Sequence, residues 1–508
     1  MLTLINPPGL KTFSGLNMHT PNPPLGLAYV AAALKEAGEP YSVIDATGEA
    51  LDAVSPYPDR TDFMVQGLVI DEIVDRIPAE SDVIGLSCMF STLWPLTRRV
   101  AEGARERFPD ALLVLGGEHG TAVPEHALEN SPFDVVVLGE GEETFLNLLD
   151  TRRKGAPLAD VPGIAFHGEG GIVRTGLSPR RRDVDSIPLP DWDSFPIEEY
   201  IDRHQINGIN LGRSMPILGT RGCPFKCTFC SNPGMWTQRW IPRNPKLLAD
   251  EMELYHRRYG VTNFDFQDLT AIVKRQWIVD FCTELIDREV DFTWQMPSGT
   301  RSEVFDAEVA DLLYRSGCRA LAFAPESGSR EILKAVKKEV DLDHMLVAMR
   351  AAVKRGLKLS CFIVVGFPQD TPKTHRQTTR LIRKMAVLGV HDVAVSKFVP
   401  YPGSQLFKQL QAAGKLELDD EFFVSPMDFY TDKAPSYSDA VPTKRLYRTM
   451  LWMFVNFYVI SFAVRPLRVL RVLAKVVFKG TEETRYAKWL ADRLFVRRRW
   501  RRIAGQHT

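Results

Sequence analysis

Apolar positions in the first 150 residues come in short runs that end on polar or glycine-rich punctuation. Leu2 to Asn6 is the first, closed by Pro7 and Pro8, and Ser42 to Asp45, Asp82 to Ser87, Ala111 to Leu115 and Asp134 to Leu138 follow. Leu25 to Ala37 lies between the first two and carries helical spacing. Runs of this length alternating with helices predict an α/β unit with a doubly wound parallel sheet. In such sheets ligands sit beyond the carboxyl ends of the strands. The residues falling there are Asn6, Ser87, Gly116, Gly117, Gly139, Glu140 and Gly141. Paired glycines at a strand end let the backbone approach a large flat ligand closely.

A polar, proline-rich stretch from Arg180 to Pro196 reads as a connector, within a linker placed at residues 151–205. From Pro216 onward, strand-like runs alternate with helical ones again. ILGT precedes a cysteine-rich segment, and NFDFQD, FTWQMPS, ALAFAPES, LSCFIVVGF and HDVAVSKFV follow at strand-helix intervals. The pattern predicts a β/α (TIM-like) barrel or partial barrel over residues 206–431, with its chemistry at the strand ends. Beyond Asp432 the alternation stops. Residues 432–508 read as a helical, basic segment, with Leu446 to Phe478 helical in pattern and broken at Pro466.

A chain of 508 residues suits two to four domains. Its 45% apolar and 25% charged residues are globular averages, and a formal net charge of +0 argues against nucleic-acid binding through bulk charge. The start MLTLINPPGL lacks the features of a secretory signal, so a cytoplasmic protein is expected. Of seven cysteines, Cys223, Cys227 and Cys230 crowd together while Cys88, Cys282, Cys318 and Cys361 are scattered. That is no disulfide framework; reduced thiols and one metal cluster fit it better.

Three thiolates on one loop can hold three irons of a [4Fe-4S] cluster and leave the fourth iron open. The competing readings are a structural zinc site and three unrelated buried thiols. Structural zinc asks for four closed ligands, often as paired C-x2-C units, and no second pair occurs.

The spacing C-x3-C-x2-C, with Phe229 before the last cysteine, resembles the signature of the radical S-adenosylmethionine superfamily. The resemblance implies that Cys223, Cys227 and Cys230 hold the cluster and that its open iron chelates the amino and carboxylate groups of S-adenosylmethionine. It further implies that one electron then releases a 5′-deoxyadenosyl radical. Phe264-Asp265-Phe266-Gln267-Asp268 resembles the strand end that holds the cofactor's amino group, with Asp268 the residue of choice. Ala324-Pro325-Glu326-Ser327-Gly328 resembles the ribose-binding strand end, through Glu326 and Ser327. Val365-Gly366-Phe367-Pro368 resembles the segment passing the adenine, through Gly366 and Pro368, and Pro400-Tyr401-Pro402-Gly403-Ser404 the last strand-to-helix turn. Each of these alone is compatible with a plain barrel loop.

In front of the barrel, Asn6-Pro7-Pro8, Pro23-Pro24-Leu25-Gly26-Leu27, Gly116-Gly117-Glu118-His119 and Gly139-Glu140-Gly141-Glu142 resemble the Rossmann-like cobalamin-binding domain of one branch of this superfamily, over residues 1–150. The D-x-H-x-x-G motif that supplies a histidine to cobalt in many cobalamin proteins is absent. His119 is therefore expected near the cofactor but not on its cobalt. A vestigial domain holding no cofactor is the alternative. The resemblance implies a methyltransferase acting on an unactivated carbon of a small molecule, in which one S-adenosylmethionine recharges cobalamin with methyl and a second supplies the radical. It also implies an external one-electron reductant such as flavodoxin or ferredoxin. A radical cyclase or oxidase without net methyl transfer stays open. So does, from another class, an iron-sulfur electron carrier or sensor, although such a protein would not need the cofactor-binding strand ends. Methylthiotransferases share the spacing, but their front domain bears further cysteines and only Cys88 stands there in this chain.

Met450 to Val464 is apolar, shorter than the roughly 20 residues of a membrane span, and flanked by Arg448, Arg465, Arg468, Arg471, Lys475 and Lys479. It reads first as a helix capping the barrel mouth. The second reading is peripheral contact with the inner face of a membrane, which would favour a hydrophobic substrate. The run Arg497 to Arg502 is expected to be a solvated end or a phosphate-binding tail.

Overall fold

The computed structural model describes residues 1–12, 21–205, 207–476 and 483–491. Seven strands form the front sheet: β1 (Leu2–Asn6), β2 (Tyr41–Asp45), β3 (Val83–Ser87), β4 (Leu112–Gly116), β5 (Val135–Val137), β6 (Ile164–Gly168) and β7 (Gly171–Arg174). Their order is β7-β6-β5-β4-β3-β1-β2. The first five pair in parallel and the last two antiparallel. Leu2 and Leu4 pack with Leu27, Ala31, Phe145 and Leu148 on one face, and Ile5 packs with Trp94, Val100 and Ala104 on the other. Cover on both faces is why these strands read as continuous apolar runs. The winding reverses between β1 and β3, so the crevice expected for a ligand opens beyond Asn6 and Ser87.

The sheet does not stop at residue 150. The stretch read as a linker supplies β6 and β7, joined at Glu169 and Gly170, because Ile164 and Ala165 bury completely against β5. The proline-rich connector is also packed: Ile187, Trp192 and Phe195 are buried, and Asp191 accepts from Lys35 Nζ and Tyr41 Oη, both at 2.5 Å.

Six parallel strands follow in strict sequence order: β8 (Ser214–Ile217), β9 (Asn263–Phe266), β10 (Thr293–Thr300), β11 (Cys318–Glu326), β12 (Lys358–Val365) and β13 (Asp392–Lys397). Each gap between them holds one or more helices, as right-handed β/α crossovers require. Capping side chains start several of these helices: Asp306 accepts from the Val309 amide and Thr371 from Thr374. The expected partial barrel is present.

Among the described residues the C-terminal helices are Thr443–Val464, Pro466–Ala474 and Arg485–Ala491, the first two broken at the expected proline, which cannot supply an amide to continue the first. The longer one does not lie over the mouth. It runs along the Pro372–Leu388 helix and β13, burying Leu446, Met450, Met453, Phe454 and Phe457 in the barrel's main core. It thereby covers the flank of the last strand. Lys479 and the Arg497 to Arg502 run lie outside the described residues.

Candidate active site

The cysteine loop leaves β8 at its carboxyl end through a two-residue pairing of Thr220–Arg221 with Ile241–Pro242. Gly222 has φ +85°, and a β-carbon on it would stand 2.2 Å from the Arg239 carbonyl oxygen, so only glycine passes. The loop is pinned by Thr228 N to Val336 O (3.0 Å) and Leu406 N to Thr228 O (2.8 Å). Phe229 packs on Phe367 with ring centroids 5.5 Å apart. Burial pushes all three thiols up, Cys230 to about 12, where the charges of Cys227 and Cys223 add to the rise. Among the described residues no three His, Cys, Asp or Glu side chains converge on a single ion.

Two cations face the loop. Lys338 Nζ bonds Glu326 at 3.0 Å, and the Arg301 guanidinium lies 3.7 Å over the Phe225 ring. Both act on Cys223 and Cys227, lowering what burial raises. Arg301 Nη1 is buried with no partner among the described residues, an orphaned donor beside the thiols that suits an anionic group. Together with three thiols on one loop, this donor set fits a [4Fe-4S] cluster and the carboxylate of its cofactor.

The other barrel strand ends are held from within. Asp268 accepts from Thr220 Oγ1 (2.5 Å) and the Gly219 amide (3.0 Å), bracing the turn into the cysteine loop. Asp265 turns into the barrel, accepting from Gln295 (2.5 Å) and Asn263 (3.0 Å). Glu326 adopts φ +59°, a conformation costly for any residue with a β-carbon, and its carboxylate pairs with Lys338. Ser327 Oγ accepts from the Ser329 amide and lies 3.2 Å from Thr378 Oγ1. Gly366 and Phe367 donate their amides to Asp370, which shapes the turn leading to Pro368.

On the front sheet, Asn6 bonds Asp45 (2.7 Å), and Ser87 ends the neighbouring strand half-buried. A β-carbon on Gly116 would meet only Leu86 O among the described residues, at 3.9 Å, so the strand end is open toward them, and Met89 and Phe90 stand exposed on the loop that follows β3. An apolar rim over open backbone suits a flat corrin. Gly117 differs: at φ +101° its β-carbon would strike Cys88 O at 2.5 Å. His119 does not line the crevice. Its ring stacks on Trp94 (4.6 Å), meets Phe423 edge-on, and shares a hydrogen bond with Ser91 at 3.0 Å. Burial pushes it down to about 3.

Gly139, Glu140 and Gly141 serve the domain contact instead. Gly139 approaches Met235 O, just past the cysteine loop, and Gly141 opens a helix against Val30. Glu140 and its neighbour Glu142 bind Arg221, and Glu140 also lies 3.5 Å from Arg180. Burial pushes Glu142 up, but Arg221 outweighs it and holds the carboxyl below its usual range. Glu118 bonds Ser231, the residue after Cys230. The sequence reading gave no role to Arg221, Arg301, Lys338 or Glu118. Only the position of Arg221, two before the first cysteine, could have drawn attention to it.

Known proteins match this arrangement in both halves. The B12 binding domain family model matches residues 14–149, and the Radical SAM superfamily model matches residues 217–382. An uncharacterised methyltransferase of Pyrococcus horikoshii is 28% identical over 393 residues, 77% of this chain and 78% of its own length. The cytidylyl-2-hydroxyethylphosphonate methyltransferase of Streptomyces wedmorensis is 29% identical, over 68% of this chain and 69% of its own. The anaerobic magnesium-protoporphyrin IX monomethyl ester cyclase of Rubrivivax gelatinosus is 28% identical, over 78% and 68%. The solved structure of the radical S-adenosylmethionine methyltransferase TsrM from Kitasatospora setae, with cobalamin and a [4Fe-4S] cluster bound, shares the fold: TM-score 0.65, 17% identity, covering 90% of this chain and 88% of that one.

Proposed function

The chain belongs with the cobalamin-dependent radical S-adenosylmethionine enzymes, and on that premise we propose that it transfers a methyl group to an unactivated carbon of a small molecule. The observation that carries this reading is the apposition of the two sheets. Ion pairs from Glu140 and Glu142 to Arg221, and the hydrogen bond between Glu118 and Ser231, hold the front sheet's strand ends against the cysteine loop. A substrate between them would meet both cofactors at once.

When bound, the cluster with S-adenosylmethionine supplies radical hydrogen abstraction, and cobalamin supplies a methyl group. The chain's own residues hold and insulate them. Cys223, Cys227 and Cys230 ligate iron, while Arg301 and Lys338 offset the negative charge that thiolates bring to a buried loop. Phe229, packed on Phe367, keeps water from the loop. The face at Gly116, beside Met89 and Phe90, would take the corrin, and His119, enclosed by Trp94 and Phe423, would not reach the cobalt. The electron comes from a flavodoxin- or ferredoxin-type donor in the cytoplasm. Ring closure or oxidation without methyl transfer is the second reading, favoured by the similarity to the Rubrivivax cyclase.

Anaerobic reaction of the reconstituted enzyme with methyl-labelled S-adenosylmethionine and candidate extracts tests this. Label in a product supports methyl transfer. Formation of 5′-deoxyadenosine with unlabelled, modified substrate would replace it with the second reading.

A further inference from the structure

The Thr443–Val464 and Pro466–Ala474 helices present an apolar face that no described residue covers. Trp452 (56% exposed), Val455 and Val459 (61%) follow one another along the long helix, and Leu467 (64%) and Leu470 (62%) continue on the short one. Side chains at positions 452, 455 and 459 share one helical face. Apolar residues exposed in a contiguous row, not singly, mark an interaction surface.

The long helix is long and apolar enough to cross a bilayer. It cannot do so from this fold, because Met450, Met453, Phe454 and Phe457 on its other side belong to the barrel's core. A helix anchored along one side can meet a membrane only by lying flat on it.

The charges around the face are of one sign. From Thr443 to Val476 there are seven Lys and Arg and no Asp or Glu. Arg465 and Arg468 are engaged by backbone carbonyls between Ala386 and Val390, and Lys475 by Glu483. Lys444, Arg445, Arg448 and Arg471 are exposed and form no ion pair with a described residue. The Pro372–Leu388 helix packed alongside adds Lys373, Arg376, Arg380 and Lys384, also exposed and without such a pair, spaced three and four apart on its outer side.

We propose that this face docks the enzyme on a bilayer containing anionic lipid. The apolar side chains enter the interface, and the two basic rows meet head-group phosphates. The inference stands independently of the methyl-transfer reading. A second copy of the chain is disfavoured as occupant, because a two-fold contact through this face would set these eight cations against their own copies.

The test is co-sedimentation of the full chain with phosphatidylcholine vesicles, with and without phosphatidylglycerol. Binding to the mixed vesicles is expected, weaker on pure phosphatidylcholine and weakened by salt. The triple variant Trp452→Glu, Val459→Glu, Leu470→Glu should lose at least about tenfold in affinity, since each substitution removes an apolar side chain from the interface and puts a negative charge there. All three positions face solvent, and cluster loading of the variant checks that it folds. Equal binding by the triple variant would assign the attraction to charge elsewhere and overturn the proposal. So would no binding to the mixed vesicles, or a dimer in sedimentation velocity that the same variant dissolves.

Discussion

Arg221 donates to Glu140 Oε1 at 3.0 Å and to Glu142 Oε1 at 2.6 Å, so the residue two before the first cluster cysteine is gripped by a strand end of the other domain. All three side chains are nearly shielded from water, with relative exposures of 5%, 7% and 12%. A planar guanidinium can fork between two carboxylates in a way a lysine cannot.

Replacing Arg221 by Met should therefore cost about 3–5 kcal/mol, because the buried Glu142 loses its ion-pair partner and Glu140 keeps only its longer ion pair with Arg180. Arg221→Lys should recover only part of this. Urea denaturation of the three proteins measures it, and a Met variant as stable as the wild type would show that the domains are held by other contacts.

Alanine in place of Cys223, Cys227 or Cys230 should abolish the reconstituted cluster's absorbance and the formation of 5′-deoxyadenosine, since two thiolates no longer define an open iron. Alanine at Cys88, Cys282, Cys318 or Cys361, all buried, should cost packing energy alone. A cluster variant that still cleaves S-adenosylmethionine would refute the ligand assignment.

Gly116 and Gly117 are adjacent but predict opposite outcomes. A bulky residue at Gly116 has room to fold and should weaken cobalamin binding by filling the open face. At Gly117 the positive φ and the 2.5 Å clash with Cys88 O should cost stability first. Thermal melts and cobalamin titration on both variants separate the two effects. His119→Ala should leave the electron paramagnetic resonance of the cob(II)alamin form unchanged; loss of a nitrogen triplet in that variant would mean the histidine reaches cobalt.

Burial pushes the Asp265 carboxyl up to about 7, against hydrogen bonds from Gln295 and Asn263 that favour its charged form. An unfolded chain releases this proton near pH 3.9. Between about pH 4 and 7 the folded protein thus binds the extra proton, and Asp265 contributes stability that fades as pH rises through that window. The stability of Asp265→Asn relative to wild type should rise from about pH 4 to 7 and then level. A difference constant with pH would place a charged carboxylate there throughout.

The cysteine loop and the two β/α units were legible in the sequence because both signals are local. Ligand spacing on one loop, and apolar runs cut by glycine and proline, need no knowledge of distant neighbours. Strand-end positions were legible too, but not the use each side chain is put to. Asp268 is taken by Thr220, Glu140 by Arg221, and His119 by Trp94 and Phe423. Each partner comes from another element, and a buried polar group binds whichever partner the fold brings to it. The C-terminal run divides in the same way. Its apolar content and its break at Pro466 are local, whereas packing against the Pro372–Leu388 helix decided that Met453 and Phe457 face the core while Trp452 and Val459 face outward. Burial on one side of a helix depends on what lies beside it, and only the tertiary structure places that neighbour.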